Sequence, residues 1–168
     1  GVSHSNDSIK GDLSIINYAD GSGFANAIVV DKNLQATGAI SIVNKETDIN
    51  VAQGSAITSS NSGVTLESVK NVSVAGAVNA KDDASITTNG AINVAGSVNA
   101  ANATLEAGTD ITVNDITASQ KASFEAGQDF IHNGGAINAN EAVVAARRNV
   151  LLNSGRMVAH EATLTATN

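Results

Sequence analysis

The sequence predicts an all-β fold, a parallel β-helix solenoid of about 20 residues per turn with three short strands in each turn. Three observations carry that expectation. The stretch from Ala77 to Asn168 writes one unit almost five times, apolar residues inside each unit come in pairs at i and i+2, and Gly or Asn stands where the pairs break. Self-similarity at a fixed period of this size is the signature of a solenoid, in which no unit buries its apolar face alone.

The units begin at Ala77, Ser97, Asp115, Ala136 and Arg156, so the steps are 20, 18, 21 and 20 residues. Period-two alternation places one side of a strand inward, whereas a helix would need apolar residues at i, i+3, i+4 and i+7 over about 11 residues. Polar corners fall at Asn89–Gly90, Ala107–Gly108, Asn133–Gly134–Gly135 and Ser154–Gly155, where Gly and Asn are expected to take positive φ. Equivalent positions then form columns. One runs Leu66, Ile86, Leu105, Phe124, Val144, Leu164; a second Val72, Ile92, Ile111, Phe130, Val150; a third Ile57, Val78, Val98, Ile116, Ile137, Met157. Some eight turns at the interstrand spacing would make a rod on the order of 40 Å long. A propeller blade needs about 40 residues and a sandwich needs hairpins, which the pattern lacks.

Backwards from Ala77 the pattern continues to about Asn33 with longer loops. Residues 33–168 are therefore expected to form the regular solenoid, and residues 1–32 an irregular amino-terminal part of less regular turns and a loop. That loop is Asn17 to Phe24, punctuated by Asp-Gly and Gly-Ser-Gly, and the polar start before about Lys10 reads as poorly ordered.

Composition agrees with thin, regularly stacked layers. Tyr18 and three Phe are the only aromatic residues, and Pro, Cys and Trp are absent, so the core must be built from Ala, Val and Ile. Disulfides are excluded as a stabilising device. Nine Lys and Arg against sixteen Asp and Glu give a net charge of −7. Only Arg147 and Arg148 are adjacent, so there is no basic stripe for nucleic acid. No run of about 18 apolar residues offers a membrane span, and no signal peptide is visible. The chain begins and stops in mid-pattern, which reads as a fragment of something longer.

At Phe130 to Ala139 (FIHNGGAINA) and Val150 to Ala159 (VLLNSGRMVA) the repeat resembles the haemagglutinin-type repeats of filamentous haemagglutinin and related contact-dependent inhibition exoproteins. Glu106 to Ile111 (EAGTDI) and Glu125 to Phe130 (EAGQDF) carry the middle of that family's unit. The resemblance covers about Asn33 to Asn168 and is most specific in the last four units. It implies a right-handed β-helix shaft of a secreted or surface-bound bacterial exoprotein, exported by two-partner secretion through an outer-membrane transporter. Such proteins act in adhesion or in delivering toxins, on a receptor or glycan of a host or neighbouring cell. The family's amino-terminal secretion domain, with its Asn-Pro motifs, is not in this proline-free stretch.

Few residues depart from the repeat. Glu67, Glu106 and Glu125 share one outward position, interrupted by Thr87, and read mainly as a solvated ladder. Calcium ligation or a glycosidase acid pair are the minority readings. Ile131, Val143 and Leu151 are apolar where other units have Asn93, Thr112, Ser85 and Ser123, which marks a candidate partner surface beside Arg147 and Arg148, themselves expected to be solvated. Asn79, Asn99 and Asn138, with Thr117, form an outward polar ladder. His132 falls in the column of Val74, Val94, Val113 and Leu152, so it should point inward or to a corner; with His4 and His160 it makes no metal cluster. No catalytic residue, metal site or cofactor is expected, and the function expected is that of a shaft, with receptor or glycan binding as the alternative and a polysaccharide-acting enzyme as the weakest reading.

Overall fold

The computed structural model describes residues 7–18 and 26–167. His4 and most of the loop from Asn17 to Phe24 lie outside the described residues. Seventeen strands and no helix are found among the described residues, and every strand pairing is parallel. The chain is a β-solenoid with three faces.

The first face stacks Asp7–Ile9, Leu34–Ala36, Ala56–Ser59 and Ala77–Ala80. Leu13–Asn17, Ile40–Asn44, Val64–Ser68 and Asp83–Thr88 stack on the second. The third begins with Ile28–Val30, Ile49–Val51 and Val72–Val74, and ends with Phe130–His132 and Val150–Leu152. In the later turns the three short strands expected per turn merge. Ile92–Ala107 and Ile111–Ala126 each run 16 residues across all three faces. Their ladder passes the corners with register shifts at Val94/Ser97 and Ala100/Asn102, because those corners are too short to interrupt the pairing.

The stack makes about seven turns rather than eight. Its early turns are longer: Asp7 to Leu34 is 27 residues and Leu34 to Ile57 is 23, against the later steps of 18 to 21. The second face stacks eight strand segments, and the seven spacings between them span roughly 34 Å.

Register pairing reproduces the three apolar columns and extends all of them downward, the first-face column from Ile57 to Leu34. Ile15 and Ile42 precede Leu66, and Ile28 and Ile49 precede Val72. From Ile40 through Val144 the large members of these columns are at most 1% exposed. Each buried Val, Leu, Ile or Phe contributes about 1.5–3 kcal/mol, so the fold rests on many equal contacts. In the last turn Leu152 is 47% and Leu164 41% exposed, since no described turn lies above them.

Two corner features position the candidate site. Positive φ is confined, among the described residues, to Gly11, Gly54 and Gly135. Gly90, Gly108 and Gly127 serve a different purpose from the one the sequence suggested: backbones of successive turns touch there. A Cβ on Gly108 would lie 2.1 Å from the carbonyl oxygen of Asn89, and one on Gly127 would lie 2.0 Å from that of Gly108.

The second feature is an inward corner column of Asn17, Asn44, Ser68, Thr88, Ala107, Ala126, Ala146 and Ala166. Asn44 is fully buried there. Its Nδ2 donates to the carbonyls of Asn26 at 3.0 Å and Asp48 at 2.8 Å, and its Oδ1 accepts from the N–H of Glu46 at 3.0 Å. Ser68 donates to the carbonyl of Thr47, and Thr88 to that of Lys70, each one turn down.

Candidate functional site

The outward residues of the second face and its following corner gather most of the sequence-predicted site. Strand pairing sets Glu106 directly beside Glu125, while Thr87 separates Glu106 from Glu67. Glu67 is taken up by an ion pair with Lys45 one turn below. At the corner, the stacked Gly108 and Gly127 carry no side chains, and the gap they leave is a depression of about 270 Å³. Thr87, Thr88, Glu106, Glu125 and Arg147 line it. Two of the three predicted glutamates and one of the two arginines therefore meet.

Among the described residues the side chains of Glu106, Glu125 and Arg147 form no ion pair and no hydrogen bond. Like charges directly opposite one another on neighbouring strands are destabilising. The arrangement offers a ligand two carboxylates from one column and a guanidinium at the rim. A glycosidase acid pair must instead flank the scissile bond.

Arg148, next along the chain, is engaged rather than free. It forks onto Asp129, with Nη2 donating to Oδ2 at 2.7 Å and Nε to Oδ1 at 3.2 Å, and lies 3.8 Å from Asp110. The hydrogen bonds from Arg148 hold the Asp129 carboxyl below its ordinary value; partial desolvation opposes them, and the Asn149 side chain, the Arg148 charge and the Asn149 N–H reinforce them. Asp129 also explains the aspartate of the repeat. Asp48 Oδ1 accepts the N–H of Asn71 at 2.9 Å, Asn71 Oδ1 that of Ala91 at 3.0 Å, Asp110 Oδ1 that of Asp129 at 3.0 Å, and Asp129 Oδ1 that of Asn149 at 3.1 Å. Each side chain thus caps the backbone of the turn above, just before a third-face strand begins. Sequence reasoning missed this column, although an Asp or Asn recurring one residue before an apolar pair was its visible signal.

The three apolar departures do not form one patch. Ile131 and Leu151 are register partners on the outer side of the third face, above Ser73, Asn93 and Thr112. Val143 sits on the second face, above Ser123. Leu151 is 40% exposed. The asparagine ladder is present on the first face, where Asn99 Nδ2 donates to Asn79 Oδ1 at 2.8 Å.

His132 is fully buried in the third-face column between Val113 and Leu152. Among the described residues no group of three or more His, Cys, Asp or Glu is placed to hold a metal ion, and no helix is long and apolar enough to cross a membrane. No family model, curated protein or solved structure matches the chain.

Proposed function

We propose that this chain is a shaft segment of a large bacterial exoprotein, a stiff spacer that projects an adhesive or toxic activity away from the cell. The observation that carries the reading is the regularity of the stack. Apolar columns run through about seven turns with hardly a substitution of type, and ion pairs such as Lys45–Glu67, Lys121–Glu141 and Arg148–Asp129 join neighbouring turns. A parallel ladder in which each turn touches only its neighbours resists bending and can be lengthened by whole units. The haemagglutinin-type motifs at Glu106–Ile111 and Glu125–Phe130 support the family reading, and with it export by two-partner secretion to the cell surface or medium. Their aspartates cap the next turn in a way any longer stack of the same unit could repeat.

A second reading, a receptor- or glycan-binding segment, is favoured by Ile131 and Leu151, which stack outward where other turns carry polar residues. Binding of the purified chain to host cells and to a glycan array separates the two. Binding abolished by Ile131→Asp with Leu151→Asp establishes the receptor reading, and its absence leaves the shaft. Sugar release lost in Glu106→Gln with Glu125→Gln would overturn both in favour of an enzyme.

A further inference from the structure

Asparagine is followed by glycine twice, at Asn89–Gly90 and Asn133–Gly134, each time at a corner. Such a pair is open to reaction within its own chain, because the next backbone nitrogen can reach the side-chain carbonyl carbon and glycine has no Cβ in the way. The two corners hold that nitrogen differently. The Gly90 N–H donates to Thr88 Oγ1 at 3.3 Å, and the corner is so closely packed that a Cβ there would lie 2.0 Å from the carbonyl oxygen of Lys70. Among the described residues the Gly134 N–H donates to nothing, and the atom nearest to a Cβ there would be 3.9 Å away.

The turn above completes the arrangement. Ser154 Oγ donates to the backbone carbonyl of Asn133, whose oxygen shares one amide with the Gly134 nitrogen. Proton loss from that nitrogen spreads negative charge onto this oxygen, so the hydroxyl stabilises the nucleophile. Asn153 Nδ2 donates to Asn133 Oδ1 at 2.8 Å, the oxygen on which charge gathers when the side-chain carbon is attacked. Donors fixed in advance where charge develops are a large source of rate. The backbone is held on either side, by the Asn133 N–H on the Val113 carbonyl at 3.1 Å and the Ala136 N–H on Asp115 Oδ1 at 2.9 Å, and Asn133 itself is exposed to water. At the other corner no donor among the described residues reaches the Asn89 side chain.

We infer that Asn133 is a self-modification site, converted to aspartate and isoaspartate with Asn153 and Ser154 of the next turn assisting. Hydroxide takes the proton of the Gly134 nitrogen, and that nitrogen bonds to Cγ of Asn133. The Cγ–Nδ2 bond then breaks, ammonia leaves with a proton drawn from water, hydroxide is regenerated and a cyclic imide remains. Water adds to one of the two imide carbonyls and opens the ring, giving aspartate or isoaspartate. Isoaspartate routes the chain through the former side chain and so inserts a carbon between Phe130–His132 and Ala136–Ala146, strands that run in register with the turns below and above. The corner under the last described turn is thereby set to loosen with age, whether the chain serves as a shaft or as a receptor-binding segment.

The test is peptide mapping by mass spectrometry of the full chain aged in mildly alkaline buffer made with heavy-oxygen water, once folded and once in urea. In the folded chain Asn133 is expected to deamidate several-fold faster than Asn89. In urea, where each is a bare Asn-Gly pair, the two rates should converge. Ser154→Ala should slow Asn133 in the folded chain by about fivefold, the effect of one ordinary hydrogen bond on a barrier, and leave its rate in urea unchanged; Asn153→Ala should act in the same direction. Loss at Asn89 that equals or exceeds loss at Asn133 in the folded native chain overturns the inference without recourse to any variant. An Asn133 rate unchanged by both Ser154→Ala and Asn153→Ala overturns it as well.

Discussion

Phe124 offers the sharpest test of the stacked-column account. It is 1% exposed, lies between Leu105 below and Val144 above, and its ring is centred 4.9 Å from that of Phe130, tilted by 51°. Truncation to Ala removes the ring from a site that the turns above and below keep from collapsing, so the cost is expected to be about 3–5 kcal/mol. Phe124→Leu places in the column the residue already found at Leu66 and Leu105, and should cost about 1 kcal/mol. The tilted ring pair adds a coupling of about 0.5–1.5 kcal/mol, which a double-mutant cycle of Phe124→Leu with Phe130→Leu isolates. The chain has no Trp, so urea unfolding is best followed by far-ultraviolet circular dichroism, with the slope of the transition checked for loss of cooperativity. A cost below about 1 kcal/mol for Phe124→Ala, or no coupling between the two rings, would refute the idea that the sixth layer is filled by this pair.

Two further perturbations address the corners. Gly127→Ala forces a Cβ to within 2.0 Å of the carbonyl oxygen of Gly108; the melting temperature should fall by several degrees, while Ala at the open Gly134 corner, whose nearest contact is 3.9 Å, should change it far less. For Asp129, the depressed carboxyl means that its contribution is complete above its unfolded value of about 3.9 and disappears as pH falls through the lower folded value. Arg148→Ala should therefore raise the Asp129 titration midpoint measured by carboxyl-carbon NMR, and an unchanged midpoint would show that the guanidinium does not hold it.

Much of the architecture is legible in the sequence because a parallel solenoid turns repetition into register. Once Leu66, Ile86, Leu105 and Phe124 are aligned by eye, the strand pairing follows, since like positions stack directly. The corners were harder to read. Gly at positions such as Gly108 signals either a positive φ or a close approach, and only the separation between turns distinguishes them. Surface groupings were also hidden, because the face a residue occupies depends on how many residues each corner consumes. Val143 parts from Ile131 and Leu151 for that reason, and Arg147 joins Glu106 and Glu125 for the same reason. The engagement of Arg148 by Asp129 depended on a pairing of corners 19 residues apart, which the repeat implied but residue type alone did not announce.

The inward corner column changes character along the rod. Asn17, Asn44, Ser68 and Thr88 occupy its first half, and Ala107, Ala126, Ala146 and Ala166 its second. In the first half, side chains stitch each turn to the one before through carbonyls such as those of Thr47 and Lys70. In the second half this seam has only its backbone ladder. The filament is therefore polar in the mechanical sense as well as the chemical one. A tear opened along this edge would run easily through the alanine layers and be arrested where the hydroxyls and amides begin.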